Sequence, residues 1–229
     1  MASAPVTILT SMATKEALDA LATEYPQAAT QAIAIESVGG VKAAERVRNG
    51  EVLDVIVLAA NVIDGLIADG KVRPGRFDFA SSGVTVCVPA GAPKPDIGNA
   101  DAFRRAVLAS KSFVYSTGPS GVYLEQLFKN WGIFETIKPK LVVAPPGVAV
   151  GGLVAAGKGD LGVQQLSELV HIKGIDIVGG LPPEIQKRTM FSAGIPMAST
   201  NAAAAKMLLD FMVSPGTAAT KRKNGMEPA

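Results

Sequence analysis

One short pattern recurs along this sequence: an apolar, strand-like stretch runs directly into a turn rich in serine, threonine or glycine, and a helix-like segment follows. It occurs at the turns formed by residues 10–14, 36–40 and 116–121. Strands that alternate with helices predict βαβ units and a mainly parallel sheet. At the start of each helix the backbone N–H groups have no partner in that helix, and the positive end of the helix dipole points outward. Three such turns that meet at one point would hold a small anion.

The order of the predicted elements divides the chain into two lobes. The strands of the first series lie at residues 6–9, 33–35 and 55–58. Residues 84–88 are interpreted as the far end of a strand that has left the first lobe, and the strands of the second series follow at 113–115, 141–143, 161–164 and 175–178. After an apolar run at 191–195, two C-terminal helices have no strand of their own. We therefore expect an α/β protein in which residues 1–82 and 196–229 form lobe 1 and residues 83–195 form lobe 2.

The charge pattern argues against nucleic-acid and membrane partners. The chain has 229 residues, and its formal charge of +2 comes from 22 basic and 20 acidic residues that are scattered along it. The one basic cluster, residues 221–223, is interpreted as the solvated end of a helix, where cations complement the dipole. No apolar run reaches the roughly 18 residues that a membrane span requires. We expect no nucleic-acid binding and no membrane insertion.

Metal and cofactor chemistry have little support in the residue pattern. Cys87 is the one cysteine and lies in an apolar strand, so we predict a small core residue. His171 is the one histidine, and it has no cysteine or histidine partner for a zinc site. No nucleophile elbow, phosphate-binding loop or dinucleotide motif follows a predicted strand. We expect neither a metal nor an organic cofactor.

The N-terminal residues bear on localisation. Residues 1–5 contain neither a charged segment nor an apolar segment of the kind found in signal peptides, and the first strand follows at once. The expectation is a cytoplasmic protein if the chain is complete as given, and a periplasmic one if a signal peptide has been removed.

Several pieces of the chain, taken in order, carry a resemblance to a known family. They are the strand-turn-helix opening at 6–21, the turn with Ser37, and the segments 53–60, 118–121, 161–163 and 214–215. In these pieces, which span nearly the whole chain, the sequence resembles the molybdate-binding protein family of the type II periplasmic-binding fold. The resemblance implies two lobes, each a mainly parallel sheet flanked by helices, with a ligand cleft between them.

The same resemblance implies a set of ligand contacts. In that family hydroxyl and backbone N–H groups hold an oxyanion, and the matching residues here are Ser11, Ser37, Ser120 and the turn at 147–148. The fifth contact is usually a tyrosine hydroxyl, whereas this sequence has Gln165 at that position. An amide has two donors and an acceptor, so it fits a carboxylate or a hydroxyl as well as a tetrahedral oxyanion. Residues of the same turns and strand complete the predicted site: Met12, Val38, Gly39, Thr117, Gly121, Gly147, Val148 and Gln164.

Three charged residues bear on the ligand and its chemistry. Lys15 and Lys42 lie near the starts of helices, where a cation opposes the dipole by about 0.3–1 kcal/mol. A di- or tricarboxylate would offset that cost, and the alternative is that both lysines extend into solvent. Glu168 lies at the start of a helix, where the dipole alone explains a carboxylate, and it serves as a general base only if it reaches the ligand.

Two functions follow from these observations. The leading hypothesis is a solute-binding protein of the ABC-transporter type, which binds a molybdate-like oxyanion or a di- or tricarboxylate and presents it to a permease. The competing hypothesis is an isomerase that moves a proton along the allylic system of an unsaturated polycarboxylate, because aconitate isomerase is a related enzyme of the same superfamily. Its candidate catalytic residues are Lys15 and Glu168.

Overall fold

The computed structural model describes residues 4–229. Residues 1–3, which belong to the N-terminal segment used to predict localisation, lie outside the described part. The chain divides into two compact units. Unit 1 comprises Met1–Ser82 and Met190–Ala229, and unit 2 comprises Gly83–Thr189. The chain therefore passes from one unit to the other within two strands, one that contains Ser82 and one that contains Thr189.

Strands and helices alternate through most of the chain. The first half contains β1 (Val6–Ser11), α1 (Lys15–Glu24), β2 (Ile33–Val38), α2 (Gly40–Arg48), β3 (Val55–Ala59), α3 (Ala60–Ala68), β4 (Phe77–Pro89), α4 (Ala100–Ala109), β5 (Phe113–Ser116) and α5 (Pro119–Asn130). The second half contains α6 (Phe134–Ile137), β6 (Leu141–Ala144), α7 (Val150–Ala155), β7 (Leu161–Gln165), α8 (Leu166–Leu169), β8 (Ile175–Gly180), β9 (Arg188–Gly194), α9 (Ala202–Met212), α10 (Ala218–Lys223) and β10 (Glu227–Pro228).

The sheet of unit 1 is parallel at its centre and antiparallel at its margin. β1 pairs in parallel with β2 on one side and with β3 on the other. β9 runs antiparallel to β3, and β10 pairs with the first half of β4. The side chains of β3 are buried along its whole length, as expected for a parallel strand covered on both faces.

The sheet of unit 2 repeats this arrangement. β5 lies in parallel between β6 and β7. The second half of β4 runs antiparallel to both β7 and β8. Because β5, β6 and β7 are parallel, the turns that follow them emerge at the same edge of the sheet.

Each sheet separates two apolar clusters, as period-2 alternation requires. In unit 1, Ile8 and Val57 pack with α1 and α9, whereas Leu9 and Ile56 pack on the side of α2 and α3. In unit 2, Val163 belongs to a large cluster with Phe103, Phe113 and Phe128, and a smaller cluster around Val150 and Val154 covers the other face. Cys87 is fully buried in that smaller cluster, and burial raises its pKa to about 12, so the prediction of a core cysteine is confirmed.

β4 runs without a break through residues 81–83, in agreement with the interpretation of residues 84–88 as the far end of a strand that leaves the first lobe. One sequence interpretation needs correction. In the basic cluster at 221–223, Lys221 is 1% exposed and its Nζ lies 4.8 Å from the ring centroid of Phe79. Burial lowers the pKa of Lys221 to about 8. The Lys221 side chain packs against Phe79 of β4 instead of extending into solvent. Only Arg222 and Lys223 are exposed at the end of this helix.

No helix within residues 4–229 combines the length and the apolar character that crossing a membrane would require.

Candidate functional site

The predicted site residues of unit 1 lie together at one edge of its sheet. β1 and β2 are parallel and in register, with Thr10 opposite Ser37 and Ser11 opposite Val38. Their carboxyl ends therefore meet, and the Ser37 hydroxyl donates a 3.5 Å hydrogen bond to the Met12 sulfur in the neighbouring turn. Both turns start helices: a short 3-10 helix begins at Met12, and α2 begins after Gly39.

The serine hydroxyls of these turns do not cap the helices. Ser11 is the residue before the 3-10 helix, and its side chain makes no capping hydrogen bond. The residue before α2 is Gly39, which has no side chain to cap the helix. The Ser11 Oγ atom is buried and has no hydrogen-bond partner among the described residues. A buried polar atom without a partner costs about 1–3 kcal/mol, so this edge favours a ligand that pairs with the hydroxyl.

Two buried threonines hold the end of β1 in place. The Oγ1 atoms of Thr10 and Thr14 lie 2.5 Å apart, and Thr10 also donates to the Val57 carbonyl at 3.1 Å. Both residues are fully buried. The backbone around Ser11 is therefore fixed by hydrogen bonds that do not involve the Ser11 side chain.

The two lysines of unit 1 differ in their partners. Lys15 forms ion pairs in its own helix with Asp19 at 2.5 Å and Glu16 at 3.8 Å, and the hydrogen bond to Asp19 raises the pKa of Lys15. The carboxylates of Glu16 and Asp19 therefore offset the unfavourable interaction between the Lys15 charge and the helix dipole. Lys42 is exposed in the first turn of α2.

In unit 2 the turn between β5 and α5 is closely packed. Gly118 precedes the helix and donates its N–H to the Ser116 hydroxyl at 3.3 Å. The Ser120 side chain is 1% exposed, with its Oγ 3.5 Å from that of Ser116. A Cβ on Gly121 would lie 1.5 Å from the Ser116 carbonyl oxygen, so only glycine fits there. Thr117 is exposed at the tip of the turn.

The turn after β6 has a backbone bond of its own. Val148 donates its N–H to the Pro145 carbonyl at 3.0 Å, and Gly147 adopts a positive φ of 84°. The turn at 147–148 stays a predicted ligand contact, and in this structure the Val148 N–H closes the turn. Val148 presents an exposed apolar side chain, 40% accessible, beside that turn.

The two adjacent glutamines at the end of β7 have different roles. Gln164 uses both ends of its amide: Oε1 accepts from the Val150 N–H at 2.9 Å, and Nε2 donates to Glu168 Oε1 at 2.8 Å. It therefore ties the start of α7 to the glutamate on α8. Gln165 donates through Nε2 to Thr189 Oγ1 at 2.8 Å, and its buried Oε1 has no partner among residues 4–229.

Glu168 has the most unusual ionisation among the predicted site residues. Burial raises its pKa to about 7, against the opposing effect of the hydrogen bond from Gln164. A carboxyl group of this kind exchanges a proton near neutral pH, which is the property that a general acid or base requires. Lys15, with its raised pKa, stays protonated and is poorly suited to act as a base.

No group of three or more His, Cys, Asp or Glu side chains within residues 4–229 is arranged to hold a metal ion. The polar groups assembled in each unit are hydroxyls, amides and helix-start N–H groups, which suit an anion with several oxygen atoms.

A family comparison is consistent with this geometry. The model of the bacterial extracellular solute-binding protein family matches residues 6–227, and the chain belongs to that family. Among individual proteins, aconitate isomerase from Pseudomonas sp is 37% identical over 187 residues, which make up 80% of this chain and 70% of that protein. The molybdate-binding protein ModA of Escherichia coli K12 is 25% identical over 107 residues, 47% of this chain and 41% of that protein.

The fold has close counterparts among solved structures. The periplasmic molybdate-binding protein of Azotobacter vinelandii superimposes with a TM-score of 0.79 and 21% sequence identity, covering 96% of this chain and 98% of that one. The predicted α/β fold class and the resemblance to molybdate-binding proteins are therefore confirmed.

Proposed function

We propose that the protein is an isomerase that interconverts the cis and trans isomers of an unsaturated tricarboxylate of the aconitate type. The observation that carries the proposal is the 37% identity to aconitate isomerase over 80% of this chain. The similarity to the molybdate-binding protein is weaker in both identity and extent, at 25% over 47%. The sequence interpretation ranked a transport receptor first, and the comparisons favour its alternative.

In this proposal, polar groups of the predicted site bind the carboxylates of the substrate. The candidates are the hydroxyls of Ser11 and Ser37 with the start of α2, and the turn at 116–121 with Gln165. Three carboxylates offer up to six acceptor oxygens, enough to pair with donors from several helix starts. The Ser11 hydroxyl, buried without a partner in the free protein, gains one when the substrate binds.

Glu168 is the proposed general base. In its carboxylate form it removes a proton from the methylene carbon of the substrate, and the electron pair of that C–H bond forms a new C=C bond. The electron pair of the old double bond takes the proton back from Glu168 at the far carbon. The double bond moves by one position, Glu168 is regenerated, and no oxidant or cofactor enters the balance.

The anionic charge that develops during this step requires stabilisation. It spreads into the carboxylate next to the reacting carbons, where backbone N–H groups at helix starts are favourable donors. Gln164 keeps the Glu168 carboxylate in place through its 2.8 Å hydrogen bond. A base with a pKa of about 7 is half ionised at neutral pH and is therefore able both to accept and to return the proton.

A solute receptor is the second candidate. It is favoured by the match to the extracellular solute-binding family and by the TM-score of 0.79 to a periplasmic molybdate-binding protein. In that case the anion is bound without turnover and is passed to a permease.

Proton NMR in deuterated buffer separates the two candidates. Purified protein is incubated in separate samples with cis-aconitate and with trans-aconitate, and the vinyl proton signals are followed over time. An isomerase brings both samples to the same isomer ratio, and a boiled sample of the same protein leaves them unchanged. If both isomers persist unchanged while they raise the melting temperature of the protein, the isomerase proposal is wrong and the receptor stands.

A further inference from the structure

Thr189 is the residue that contacts the amide of Gln165, and no role was assigned to it from the sequence. It lies in β9 and is 9% exposed, whereas Gln165 at the end of β7 is 1% exposed. The bond between them, Gln165 Nε2 to Thr189 Oγ1, is 2.8 Å long. Among the described residues, Thr189 is the only hydrogen-bond partner of this amide side chain, because Oε1 has none.

The free end of the amide has the wrong polarity for an anion. With Nε2 bonded to Thr189, the unpartnered atom is Oε1, an acceptor, and a carboxylate also offers only acceptors. Turning the amide by half a revolution exchanges the two ends. A threonine hydroxyl both donates and accepts, so Thr189 can bond to either end of the amide.

We propose that Thr189 is a positioning residue for ligand binding: its hydroxyl holds the Gln165 amide in the orientation that donates Nε2 to a carboxylate of the bound ligand. This inference rests on the proposed function insofar as it takes the ligand to be a polycarboxylate. In the free protein the hydroxyl accepts from Nε2, and in the complex it donates to Oε1. Every polar atom of the pair is then satisfied only when the ligand is present.

The bond to Thr189 also limits the motion of the amide. An amide at the end of two methylene groups has several rotamers and requires a second contact to fix its orientation. A valine at position 189 has nearly the same shape as threonine but lacks the hydroxyl. Without it the amide loses its one bond in the described structure and binds the ligand at a higher entropic cost.

Calorimetry with propane-1,2,3-tricarboxylate tests the inference. This saturated analogue has no double bond to move, so its affinity reports binding alone. We expect Thr189→Val to weaken binding about 10-fold, because a buried amide end is left without a partner. Thr189→Ser, which restores the hydroxyl, should stay within about 3-fold of the wild-type affinity.

Thr85→Val is the matched control. Thr85 is 3% exposed, lies in β4 of the same unit, and its hydroxyl bonds only to the Gly83 carbonyl at 3.3 Å. Removing this second buried hydroxyl should lower the melting temperature to a similar extent but leave the affinity unchanged. The pH dependence of isomerisation should be the same in Thr189→Val as in the wild type, because Thr189 bonds to the Gln165 amide whereas Glu168 bonds to Gln164.

The outcomes separate the two proposals. Equal affinities of Thr189→Val and the wild type would overturn the role of Thr189, and so would an equal loss of affinity in Thr189→Ser. If the wild-type protein binds the tricarboxylate analogue with no turnover of aconitate, the isomerase proposal fails while the role of Thr189 is still decided by the affinities. If the wild type binds no tricarboxylate, both proposals are wrong.

Discussion

At the scale of single residues, the surroundings of Glu168 determine its chemistry. The sequence indicated only a carboxylate at a helix start, where the dipole would keep it ionised. In the folded chain the burial of this residue has the larger effect and raises its pKa to about 7. The hydrogen bond from Gln164 works in the opposite direction but does not cancel it. The helix dipole alone would account for a carboxylate at this position, but burial makes Glu168 a group that exchanges a proton near neutral pH.

The first prediction concerns this raised pKa. The folded protein keeps a proton on Glu168 that the unfolded chain releases from about pH 4.5 upward, so the free energy of unfolding falls as the pH rises towards 7. Over that window the loss is on the order of 3 kcal/mol. Glu168→Gln mimics the protonated form, so it should be more stable than the wild type at pH 8 and about equal at pH 4.5, as measured by urea unfolding.

The same variant tests catalysis. Without a base, Glu168→Gln should lose at least about 100-fold in isomerisation rate, and the wild-type rate should rise as the pH passes 7 because the base acts in its ionised form. Glu135→Gln is the control, because the Glu135 side chain is 80% exposed, and it should change neither the pH dependence of stability nor the rate. Unchanged turnover in Glu168→Gln would exclude this residue as the base.

The sequence predicts candidate residues but not the hydrogen bonds that hold them in place. Gln164 and Gln165 were both predicted to contact the ligand, yet the Gln164 amide is bonded at both ends inside the protein. Thr189 was missed entirely, since it is separated from Gln165 by 24 positions. No local pattern marks such a partner, because hydrogen bonds between distant segments depend on how the strands are brought together.

At the scale of elements, periodicity predicted most strands and the helices that follow them. The structure extends β1 and β2 by a few residues and adds α4, which the sequence interpretation left out. A capping signal for α4 was present: Asn99 Oδ1 accepts from the Ala102 N–H at 2.9 Å, and Asp101 lies in the first turn. In the turn between β5 and α5, Gly121 is required because a side chain would collide with the Ser116 carbonyl oxygen, and not because its backbone has a positive φ.

The second prediction concerns that turn. Gly121→Ala should destabilise the protein by about 3 kcal/mol, because the added Cβ would lie 1.5 Å from the Ser116 carbonyl oxygen and would push β5 and α5 apart. Ligand affinity should fall as well, since Ser120 moves with the start of the helix. Gly65→Ala is the control: its Cβ meets no atom within 4 Å, and alanine in a helix should be neutral or stabilising. A melting temperature of Gly121→Ala equal to that of the wild type would contradict the packing argument.

At the scale of the whole molecule, the repeated strand-turn-helix pattern accounts for two units built alike. Each has a sheet that is parallel in the middle and is completed by an antiparallel strand, and the chain passes between the units in β4 and β9. The sequence placed the second passage at 195/196, whereas the compact units divide between Thr189 and Met190. Apolar runs mark a strand but not the residue within it at which the contacts change from one unit to the other.

The last prediction concerns two serines of the predicted site, Ser37 and Ser120, which are tested one at a time. Ser37→Ala in unit 1 and Ser120→Ala in unit 2 should each weaken the same tricarboxylate by about 1–3 kcal/mol, because each removes a polar partner of the ligand. Ser110→Ala, whose hydroxyl bonds to the Val107 carbonyl at 2.8 Å at the end of α4, should leave affinity unchanged. Calorimetry gives the affinities, and the melting temperature without ligand shows whether each variant folds. Because a ligand that binds only the folded state stabilises it by about 2.7 kcal/mol at 100 times its dissociation constant, the thermal shift should shrink in parallel for both serine variants. A variant that keeps the wild-type affinity would show that its serine does not contact the ligand.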